Sequence, residues 1–462
     1  MSQRGSAPNG TPHDPSDFVS GVIEGFYGQP WTRVERLQLF EWMAAWGLNT
    51  YLYAPKDDLH HRALWREPYA QADAEGIRQV IHACRERRLR FVYGLGPGLD
   101  IRYSREADLN RLRVRFEEML ALGCSDFALL FDDIPDVMDA RDLERWGSLA
   151  LAQCHVANVM FEWTRARRPA ARFFFCPTAY CGRMAAAHLG GEGYLPAVGR
   201  ELLPEIGVFW TGPDIVSREI SVEHVREVHA LLGRKPVIWD NLHANDYDGR
   251  RFFCGPYAGR AAGLRAEIAG ALSNRNTEFA LNYVPLRTFA AFVARPSDDV
   301  RSAYLSAMRE WAPSFTTVRG PLAFEDLVLF GDCYYLPYEE GPEASALYEA
   351  GARMVTSAGD QDASAAFRAR ASRLRAFCAA TNELCSRPLF HAISRRTWEL
   401  REELDLLERF AARAVGEASE IASDFHLPGT FRGGFVARLQ RLLVQRPDGR
   451  FTPPPTEHRH ES

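Results

Sequence analysis

The stretch Phe127-Ala128-Leu129-Leu130-Phe131-Asp132-Asp133 joins five apolar residues to two adjacent carboxylates. An apolar run of this length predicts a buried strand. Successive side chains on a strand point to opposite faces, so Asp132 and Asp133 at its carboxyl end are expected to serve different roles. Two aspartates could also simply end the strand and cap the next helix, and the pair alone does not separate these interpretations.

Apolar runs of the same kind recur through the first two thirds of the chain. They begin near Val22, Tyr51, Phe91, Phe127, Phe173, Val208, Val237 and Phe279. Helical patterns lie between most of them, at residues 33–46, 74–87, 109–122 and 141–165. Eight strands alternating with helices over roughly 280 residues predict an α/β fold, a (β/α)8 TIM barrel. The spacing after the fifth run is irregular, which keeps a doubly wound open sheet as the alternative.

Polar residues gather where the predicted strands end. The clusters are Glu24-Gly25-Phe26-Tyr27-Gly28, Pro55-Lys56-Asp57-Asp58, Gly96-Pro97-Gly98-Leu99-Asp100, Asp132-Asp133, Thr178-Ala179-Tyr180, Trp210-Thr211-Gly212, Trp239-Asp240-Asn241 and Asn282-Tyr283. In a barrel these clusters share one face, which is where active sites form. Two carboxylates beside Trp, Tyr and Asn side chains are typical of a pocket that binds a sugar.

Longer helical patterns replace the alternation after about Arg295. They cover residues 300–311, 343–355, 363–380 and 398–422 and predict a helical bundle without a catalytic cluster. The predicted organisation is a disordered tail over 1–17, a barrel over 18–295, a helical bundle over 296–445 and a disordered tail over 446–462.

Composition excludes several classes of function. The net charge of −5 gives no electrostatic reason to expect nucleic acid or an anionic membrane as a partner. No run of about 20 apolar residues predicts a membrane span. Nine cysteines without a CxxC pair indicate reduced thiols and a cytoplasmic location. Only Lys56 and Lys235 among the 55 basic residues are lysine, which is a weak indication that a compact ammonium group is needed at these positions.

The motifs of other hydrolase chemistries are missing. Asp132, Asp133 and Asp246 could bind a hard cation, but the histidines lack recognisable ligand spacing. There is no glycine-rich phosphate loop and no Gly-x-Ser-x-Gly elbow. We therefore expect neither a metal nor a cofactor, and a metal-dependent hydrolase remains an alternative that sensitivity to a chelator would reveal.

Four stretches resemble the O-GlcNAcase family, the β-N-acetylglucosaminidases of glycoside hydrolase family 84. They are Gly21-Val22-Ile23-Glu24-Gly25-Phe26-Tyr27-Gly28, Tyr51-Leu52-Tyr53-Ala54-Pro55-Lys56-Asp57-Asp58, Leu129-Leu130-Phe131-Asp132-Asp133-Ile134 and Trp239-Asp240-Asn241-Leu242-His243-Ala244-Asn245-Asp246-Tyr247. The resemblance runs collinearly over about 18–286 and implies a barrel that hydrolyses β-linked N-acetylglucosamine (GlcNAc) by a retaining, substrate-assisted mechanism.

The resemblance also implies roles for individual residues. Asp132 would orient and polarise the acetamido group of the substrate, whose oxygen attacks the anomeric carbon to give an oxazoline. Asp133 would be the general acid and then the general base. The mutual repulsion of neighbouring carboxylates would keep a proton available on one of them. The other implied substrate-binding residues are Gly21, Lys56, Tyr180, Trp239, Asn241, Asp246 and Asn282.

The natural substrate and the assembly state are less specified. The expected substrate is a glycoprotein or glycoside carrying terminal β-GlcNAc, and cell-wall or free glycosides and a non-catalytic sugar-binding barrel remain alternatives. Tyr335-Leu336-Pro337-Tyr338-Glu339-Glu340-Gly341 resembles the start of the stalk domain of the animal enzymes. That resemblance, with the amphipathic helices after Arg295, predicts a homodimer.

Overall fold

The structure, a computed structural model, describes residues 18–357, 360–414, 435–446 and 450–454. Eight parallel strands form a closed barrel in chain order. They are β1 (Val19–Glu24), β2 (Thr50–Tyr53), β3 (Arg90–Leu95), β4 (Asp126–Leu130), β5 (Phe173–Cys176), β6 (Gly207–Trp210), β7 (Val237–Asp240) and β8 (Gly270–Asn274). β8 pairs with β1, with Gly270 opposite Val19. This pairing closes the barrel and excludes the open sheet.

Helices connect the strands and surround the barrel. They are α1 (Arg33–Ala45), α2 (Gln71–Glu86), α3 (Glu106–Leu122), α4 (Ala140–Trp146), α5 (Leu149–Arg167), α6 (Gly182–Ala186), α7 (Tyr194–Glu201), α8 (Val222–Leu232), α9 (Leu264–Glu267) and α10 (Tyr283–Ala294). Their ends follow local sequence signals. α1 begins with a capping box between Thr32 and Glu35. α3 ends at Gly123, whose φ of 101° lies in the left-handed region that glycine adopts without strain.

The eighth strand lies elsewhere than the sequence predicted. It spans Gly270–Asn274, whereas the apolar run near Phe279 forms a 3₁₀ turn, Phe279–Leu281, that leads into α10. The β8 residues Gly-Ala-Leu-Ser-Asn are small and partly polar, so the run is weakly apolar although all five residues are buried. The strand prediction was wrong because the stronger apolar signal belongs to the turn and helix.

Two helix predictions also differ from the structure. The single helix predicted over 141–165 is two helices, α4 and α5, because Gly147 adopts a φ of 72° and Ser148 caps the second helix. The helix predicted over 398–422 is the end of α15, which begins at Arg387 and is described to Ala414. Residues 415–422 of that prediction lie outside the described residues.

A helical region follows the barrel. Its helices are α11 (Val300–Trp311), α12 (Phe324–Cys333), α13 (Pro342–Thr356), α14 (Gln361–Ala380), α15 (Arg387–Ala414) and α16 (Phe435–Gln440). The predicted boundary near Arg295 falls between α10 and α11. The two regions are joined by main-chain hydrogen bonds from Cys254 and Gly255 to Tyr334 and Tyr335, both 2.8 Å long. The helical region therefore packs directly on a barrel loop.

Short strands complete the described part of the chain. β9 (Thr316–Thr317) pairs with β10 (Gly320–Pro321), and β11 (Val444–Gln445) pairs with β12 (Phe451–Thr452). The last pair crosses the boundary of the tail predicted from residue 446. Residues 447–449 and 455–462 of that tail, and the whole tail predicted over 1–17, lie outside the described residues.

Apolar side chains fill the inside of the barrel beneath the ends of its strands. This inner cluster includes Leu52, Val92, Leu130, Phe174 and Phe209, none more than 3% exposed. A larger cluster packs between the strands and the helices. Because parallel strands are covered on both faces, they read as continuous apolar runs. The inner cluster also contains Tyr180 and Trp239, which places these aromatic residues at the upper limit of the packed core.

Candidate active site

A cavity of about 320 Å³ opens at the carboxyl ends of the strands. It lies above the inner apolar cluster, at the face where the sequence predicted a site. Its lining residues come from the ends of most strands and are Gly25, Tyr27, Lys56, Asp132, Asp133, Cys176, Tyr180, Thr211, Ile215, Val216, Trp239, Asn241, Ala244, Asp246, Tyr247 and Asn274. The set combines carboxylates, one ammonium group, amides and aromatic rings.

Asp132 follows β4 and is 8% exposed. Its Oδ2 accepts a hydrogen bond of 2.5 Å from Nζ of Lys56, while Oδ1 has no hydrogen-bond partner among the described residues. Burial alone would raise the pKa of this carboxyl. The charge and hydrogen bond of Lys56, with smaller effects of Arg62 and His61, outweigh burial and lower the pKa. Asp132 is therefore an ionised acceptor with one oxygen free to bind a ligand.

Lys56 is the matching half of this ion pair. Burial lowers the pKa of its ammonium group, but the neighbouring Asp132 charge more than offsets burial and raises it. The ammonium group also lies 5.9 Å from the ring centre of Tyr27. Both partners are therefore charged at neutral pH, and their mutual attraction fixes the position of Asp132.

Asp133 lies in a different environment from its neighbour. It is exposed, and its carboxylate accepts hydrogen bonds from the hydroxyls of Tyr27, at 2.9 Å, and Tyr180, at 2.8 Å. Its φ of 52° is in the left-handed region, where a residue other than glycine is strained. The two aspartates therefore have different environments, as the sequence predicted, but for another reason: both lie beyond the end of β4 at Leu130, in a turn, so strand alternation does not separate them.

Burial and nearby carboxylates also change the pKa of Tyr180, one of the two tyrosines that donate to Asp133. Burial, with the charge of Asp133 and their hydrogen bond, raises the pKa of Tyr180 far above its ordinary value. The Tyr180 hydroxyl therefore keeps its proton and acts as a hydrogen-bond donor.

Three side chains form a hydrogen-bonded wall on the β7 and β8 side of the cavity. Oδ1 of Asn241 accepts from the Trp239 indole at 3.0 Å and from the Asn274 amide at 3.1 Å. The Asn241 amide donates to the main-chain oxygen of Ile215 at 2.8 Å. Oδ1 of Asn274 is buried and has no partner among the described residues. The wall is thus fixed internally and presents one acceptor oxygen.

Asp246 supplies a third carboxylate at the rim. Its Oδ2 accepts the main-chain N–H of Tyr27 at 2.8 Å, which ties the loop after β7 to the loop after β1. Burial raises the pKa of Asp246 above its ordinary value. The residue can accept hydrogen bonds from hydroxyl groups of a ligand at neutral pH.

Most residues that the sequence singled out lie together in the cavity. These are Lys56, Asp132, Asp133, Tyr180, Trp239, Asn241 and Asp246. Two others do not line it. Gly21 is in the middle of β1, where a Cβ atom would lie 1.7 Å from the carbonyl oxygen of Thr50 on the neighbouring strand. Asn282 is 1% exposed and hydrogen-bonds Asn276 beneath the loop after β8.

The sequence did not single out the glycine and the asparagine that line the cavity in place of Gly21 and Asn282. Gly25 follows β1, and Asn274 ends β8; both line the cavity. The signal for Gly25 was present, because it stands in the quoted motif one residue after the strand. Tyr27 in the same motif was also missed, as was the apolar part of the wall formed by Ile215, Val216 and Tyr247.

Within the described ranges, no group of three or more His, Cys, Asp or Glu side chains is arranged to hold a metal ion. None of the described helices combines the length and apolar character needed to cross a membrane.

Comparison with known proteins shows which family the chain resembles. Residues 20–332 match the family model NAGidase, described as beta-N-acetylglucosaminidase. Protein O-GlcNAcase of Mus musculus and of Rattus norvegicus are each 45% identical over 284 residues, covering 62% of this chain but only 31% of the relative. The alignment therefore spans about a third of those longer proteins.

A solved structure extends the likeness beyond the barrel. An O-GlcNAc hydrolase mutant of Thermobaculum terrenum superposes with a TM-score of 0.75 at 27% identity, covering 86% of each chain. The family match covers more than half of the present chain and includes every barrel strand after the first residue of β1. By these matches and by the residues gathered in its cavity, the chain belongs to the β-N-acetylglucosaminidase family of glycoside hydrolases.

Proposed function

We propose that the protein is a retaining exo-β-N-acetylglucosaminidase of the O-GlcNAcase type that uses substrate-assisted catalysis. The observation that carries this proposal is the contrast within the aspartate pair. Asp132 is buried, ionised and fixed by Lys56. Asp133 is exposed at the cavity mouth and held by two hydroxyl groups. One carboxylate is thus suited to polarising a substrate group and the other to exchanging protons.

The first chemical step uses both aspartates. The free Oδ1 of Asp132 accepts the acetamido N–H of the substrate, which increases the electron density on the acetamido oxygen. That oxygen forms a bond to the anomeric carbon while the bond to the leaving oxygen breaks. Asp133 transfers its proton to the leaving oxygen. The products of this step are the released aglycone and an oxazoline that keeps its N–H proton, and hence a positive charge, beside ionised Asp132. No enzyme carboxylate becomes bonded to the sugar.

The second step reverses the roles of donor and acceptor. Asp133, now ionised, takes a proton from a water molecule as the water oxygen bonds to the anomeric carbon. The bond to the acetamido oxygen breaks, and the acetamido group is restored. Two inversions at one carbon leave the β configuration unchanged, so the enzyme is retaining.

The size of the cavity supports removal of one terminal sugar. About 320 Å³ is near the lower end of the range for small-molecule sites, roughly 300–1,000 Å³. Trp239 and Tyr247 give apolar surfaces for the sugar ring, and Asn274 and Asp246 give acceptors for its hydroxyls. The names of the three related proteins favour O-linked GlcNAc on Ser or Thr of proteins as the substrate.

A homodimer formed by the helices after about Arg295 is part of the same proposal. Trp398 on α15 and Val318 after β9 are 47% and 75% exposed, which leaves apolar surface on the helical region. Light scattering on the full chain and on Trp398→Glu tests this. A dimer that the substitution weakens supports it, and a monomeric parent chain contradicts it.

A reducing compartment such as the cytoplasm is the proposed location. The nine cysteines are all free thiols, and eight of them are buried. This arrangement suits an environment in which thiols stay reduced.

The experiment that tests the function compares substrates with acetyl, fluoroacetyl, difluoroacetyl and trifluoroacetyl groups on the amino sugar. We expect kcat/KM to fall progressively, because fluorine withdraws electrons from the attacking oxygen. Asp133→Asn should lose ~10²–10⁴-fold on a GlcNAc-modified peptide and much less on an aryl glycoside with an acidic phenol. No dependence on fluorination, or a sugar trapped on a carboxylate, would contradict the mechanism. No hydrolysis at all would favour a sugar-binding barrel.

A further inference from the structure

Arg62 makes unusual use of its guanidinium group beside the active site. It follows the 3₁₀ turn Leu59–His61 in the loop after β2 and is partly buried. Nη1 donates to the hydroxyl of Tyr27 at 2.7 Å, and Nη2 donates to the main-chain oxygen of Asp133. No carboxylate of the described residues forms a salt bridge with it. A guanidinium group that donates to a hydroxyl and a carbonyl oxygen fixes the positions of these groups and does not pair with a charge.

Arg62 supports both the main chain and the carboxylate of Asp133. Arg62 holds the Asp133 main-chain oxygen directly, at a residue whose φ of 52° is strained. It also holds the Tyr27 hydroxyl, which in turn donates to Oδ2 of Asp133 at 2.9 Å. Tyr27 is fixed from a second direction because its main-chain N–H donates to Asp246. Arg62 and Tyr27 together therefore hold the backbone and carboxylate of Asp133.

The two oxygens of Asp133 have different partners. Tyr27 donates to Oδ2, and Tyr180 donates to Oδ1. The family resemblance implies that Tyr180 binds substrate, through a hydrogen bond to the reacting acetamido group, so a bound substrate would draw its hydroxyl away from Oδ1. The freed Oδ1 can then carry the proton that passes to the leaving oxygen. Tyr27, which Arg62 holds, keeps Oδ2 in place during this exchange.

We propose that Arg62 is a positioning residue for the acid–base step, and that it acts on Asp133 both directly, at the main-chain oxygen, and through Tyr27. This inference rests on the proposed function of Asp133. It assigns different roles to the two tyrosines: Tyr180 exchanges partners when substrate binds, whereas Tyr27 with Arg62 holds the carboxylate throughout. Neither Arg62 nor Tyr27 would bond to the sugar or exchange a proton with it in this scheme.

The test is a leaving-group series of aryl β-N-acetylglucosaminides on the parent chain, Arg62→Lys and Tyr27→Phe. A misplaced acid matters most when the leaving oxygen is strongly basic. For the least acidic phenol we expect kcat/KM to fall ~10–100-fold in both variants, and for the most acidic phenol less than ~3-fold. The inhibition constant of free GlcNAc should change little in Arg62→Lys, because Arg62 does not line the cavity.

Arg234→Lys is a matched control. Arg234 also donates to main-chain oxygens, those of Leu202, Leu203 and Ile206, but it is not part of the cavity lining. Its variant should lower thermal stability without changing the slope of rate against phenol acidity. The double variant Arg62→Lys with Tyr27→Phe should lose clearly less than the product of the two single losses, because both changes break the same hydrogen-bonded chain from Arg62 through Tyr27 to the Asp133 carboxylate.

Several outcomes would overturn the inference. An equal loss across all leaving groups would show that Arg62 only supports the fold, and fully multiplicative losses would show that it does not act through Tyr27. If Arg62→Lys does not fold, Tyr27→Phe carries the leaving-group test alone, and a flat slope in it rejects the inference. A parent chain without activity would instead reject the proposed function, so the two failures are distinguishable.

Discussion

Two buried aspartates at the ends of barrel strands show how similar ion pairs differ in purpose. Asp240, the last residue of β7, accepts from Nε and Nη2 of Arg260 at 2.7 and 2.6 Å and from the Tyr257 hydroxyl at 2.7 Å. It also accepts the main-chain N–H of Leu242. Burial would raise the pKa of Asp240, but Arg260 lowers it, as Lys56 does for Asp132.

The difference lies in what remains unsatisfied. Both oxygens of Asp240 are bonded within the protein, whereas Oδ1 of Asp132 has no partner among the described residues. A buried acceptor without a partner costs stability, and such a cost at a cavity is typical of a binding group. We propose that the Asp240–Arg260 pair stabilises the fold, and that the Asp132–Lys56 pair leaves Oδ1 of Asp132 available for the substrate.

The largest expected effects come from neutralising each aspartate in turn. Asp132→Asn should lower kcat/KM by ~10³-fold, because the substrate loses its charged acceptor. It should also lower thermal stability, because Lys56 stays buried without its counter-charge. Asp240→Asn should cost about 3–5 kcal/mol of unfolding free energy, since it leaves Arg260 buried without its counter-charge. Folded Asp240→Asn protein should keep activity near that of the parent chain. Kinetics and thermal denaturation of both variants check this. An equal loss of activity in the two folded variants would contradict the difference between the two ion pairs.

Removing the cation of the open pair should change the pH profile. Lys56→Met leaves Asp132 buried without the charge that lowers its pKa, so the pKa of Asp132 rises. When the pH is lowered, the Asp132 carboxylate is then protonated at a higher pH than in the parent chain. The acidic limb of kcat/KM should therefore move to higher pH, with a loss of ~10²-fold at neutral pH. Lys235→Met is the control, because Lys235 donates only to the main-chain oxygen of Ala266. An unmoved acidic limb would mean that Lys56 does not set the charge of Asp132.

A smaller effect, on stability alone, should follow from removing one hydrogen bond to the Asp240–Arg260 pair. Tyr257→Phe removes one hydroxyl donor from Asp240 and leaves both Arg260 contacts. Unfolding free energy should fall by about 2 kcal/mol, the usual contribution of a hydrogen bond to a charged group. Kinetic constants should not change, because Tyr257 does not line the cavity. Chemical denaturation measures the first quantity, and a loss of activity in the folded variant would show that the pair reaches the site.

The smallest predicted effect concerns the neutral histidine beside the open pair. Burial, with the charge of Lys56, lowers the pKa of His61 to about 4. The unfolded chain therefore binds a proton near pH 6.5 that the folded chain does not, and stability falls as pH decreases from about 6.5 to 4. Between pH 7 and 5.5 this contributes about 1 kcal/mol of destabilisation, which His61→Asn should remove. Denaturation curves at both pH values test it, and equal pH dependence in both proteins would contradict it.

The sequence predicted the barrel well because its strands are buried on both faces and read as apolar runs. The aspartate pair was predictable for the same reason, since a polar residue directly after such a run must lie at the end of a strand. This reasoning failed at β8, whose Ser273 and Asn274 make the run weakly apolar. Asn282, which the resemblance implied as a substrate-binding residue, lies outside the cavity lining, whereas Asn274 at the end of β8 is part of it.

Other parts of the site depend on contacts that the sequence does not show. Gly21 and Gly25 stand in one motif, but only the structure shows that Gly21 packs against the neighbouring strand and Gly25 lines the cavity. The position of Arg62 depends on the loop after β2 meeting those after β1 and β4. Such contacts between loops join residues far apart in the chain, and no local pattern encodes them.

The scarcity of lysine has a practical consequence for amine chemistry. Besides the α-amino group, the chain offers only two primary amines, and that of Lys56 is 4% exposed and paired with Asp132. Lys235 lies just before β7, at the opposite end of the barrel from the cavity. Ester reagents that acylate amines should thus attach dyes or surfaces at Lys235 and at the α-amino group, and should spare Lys56 beside the cavity. Protein attached through Lys235 would present its cavity to solution without an engineered tag.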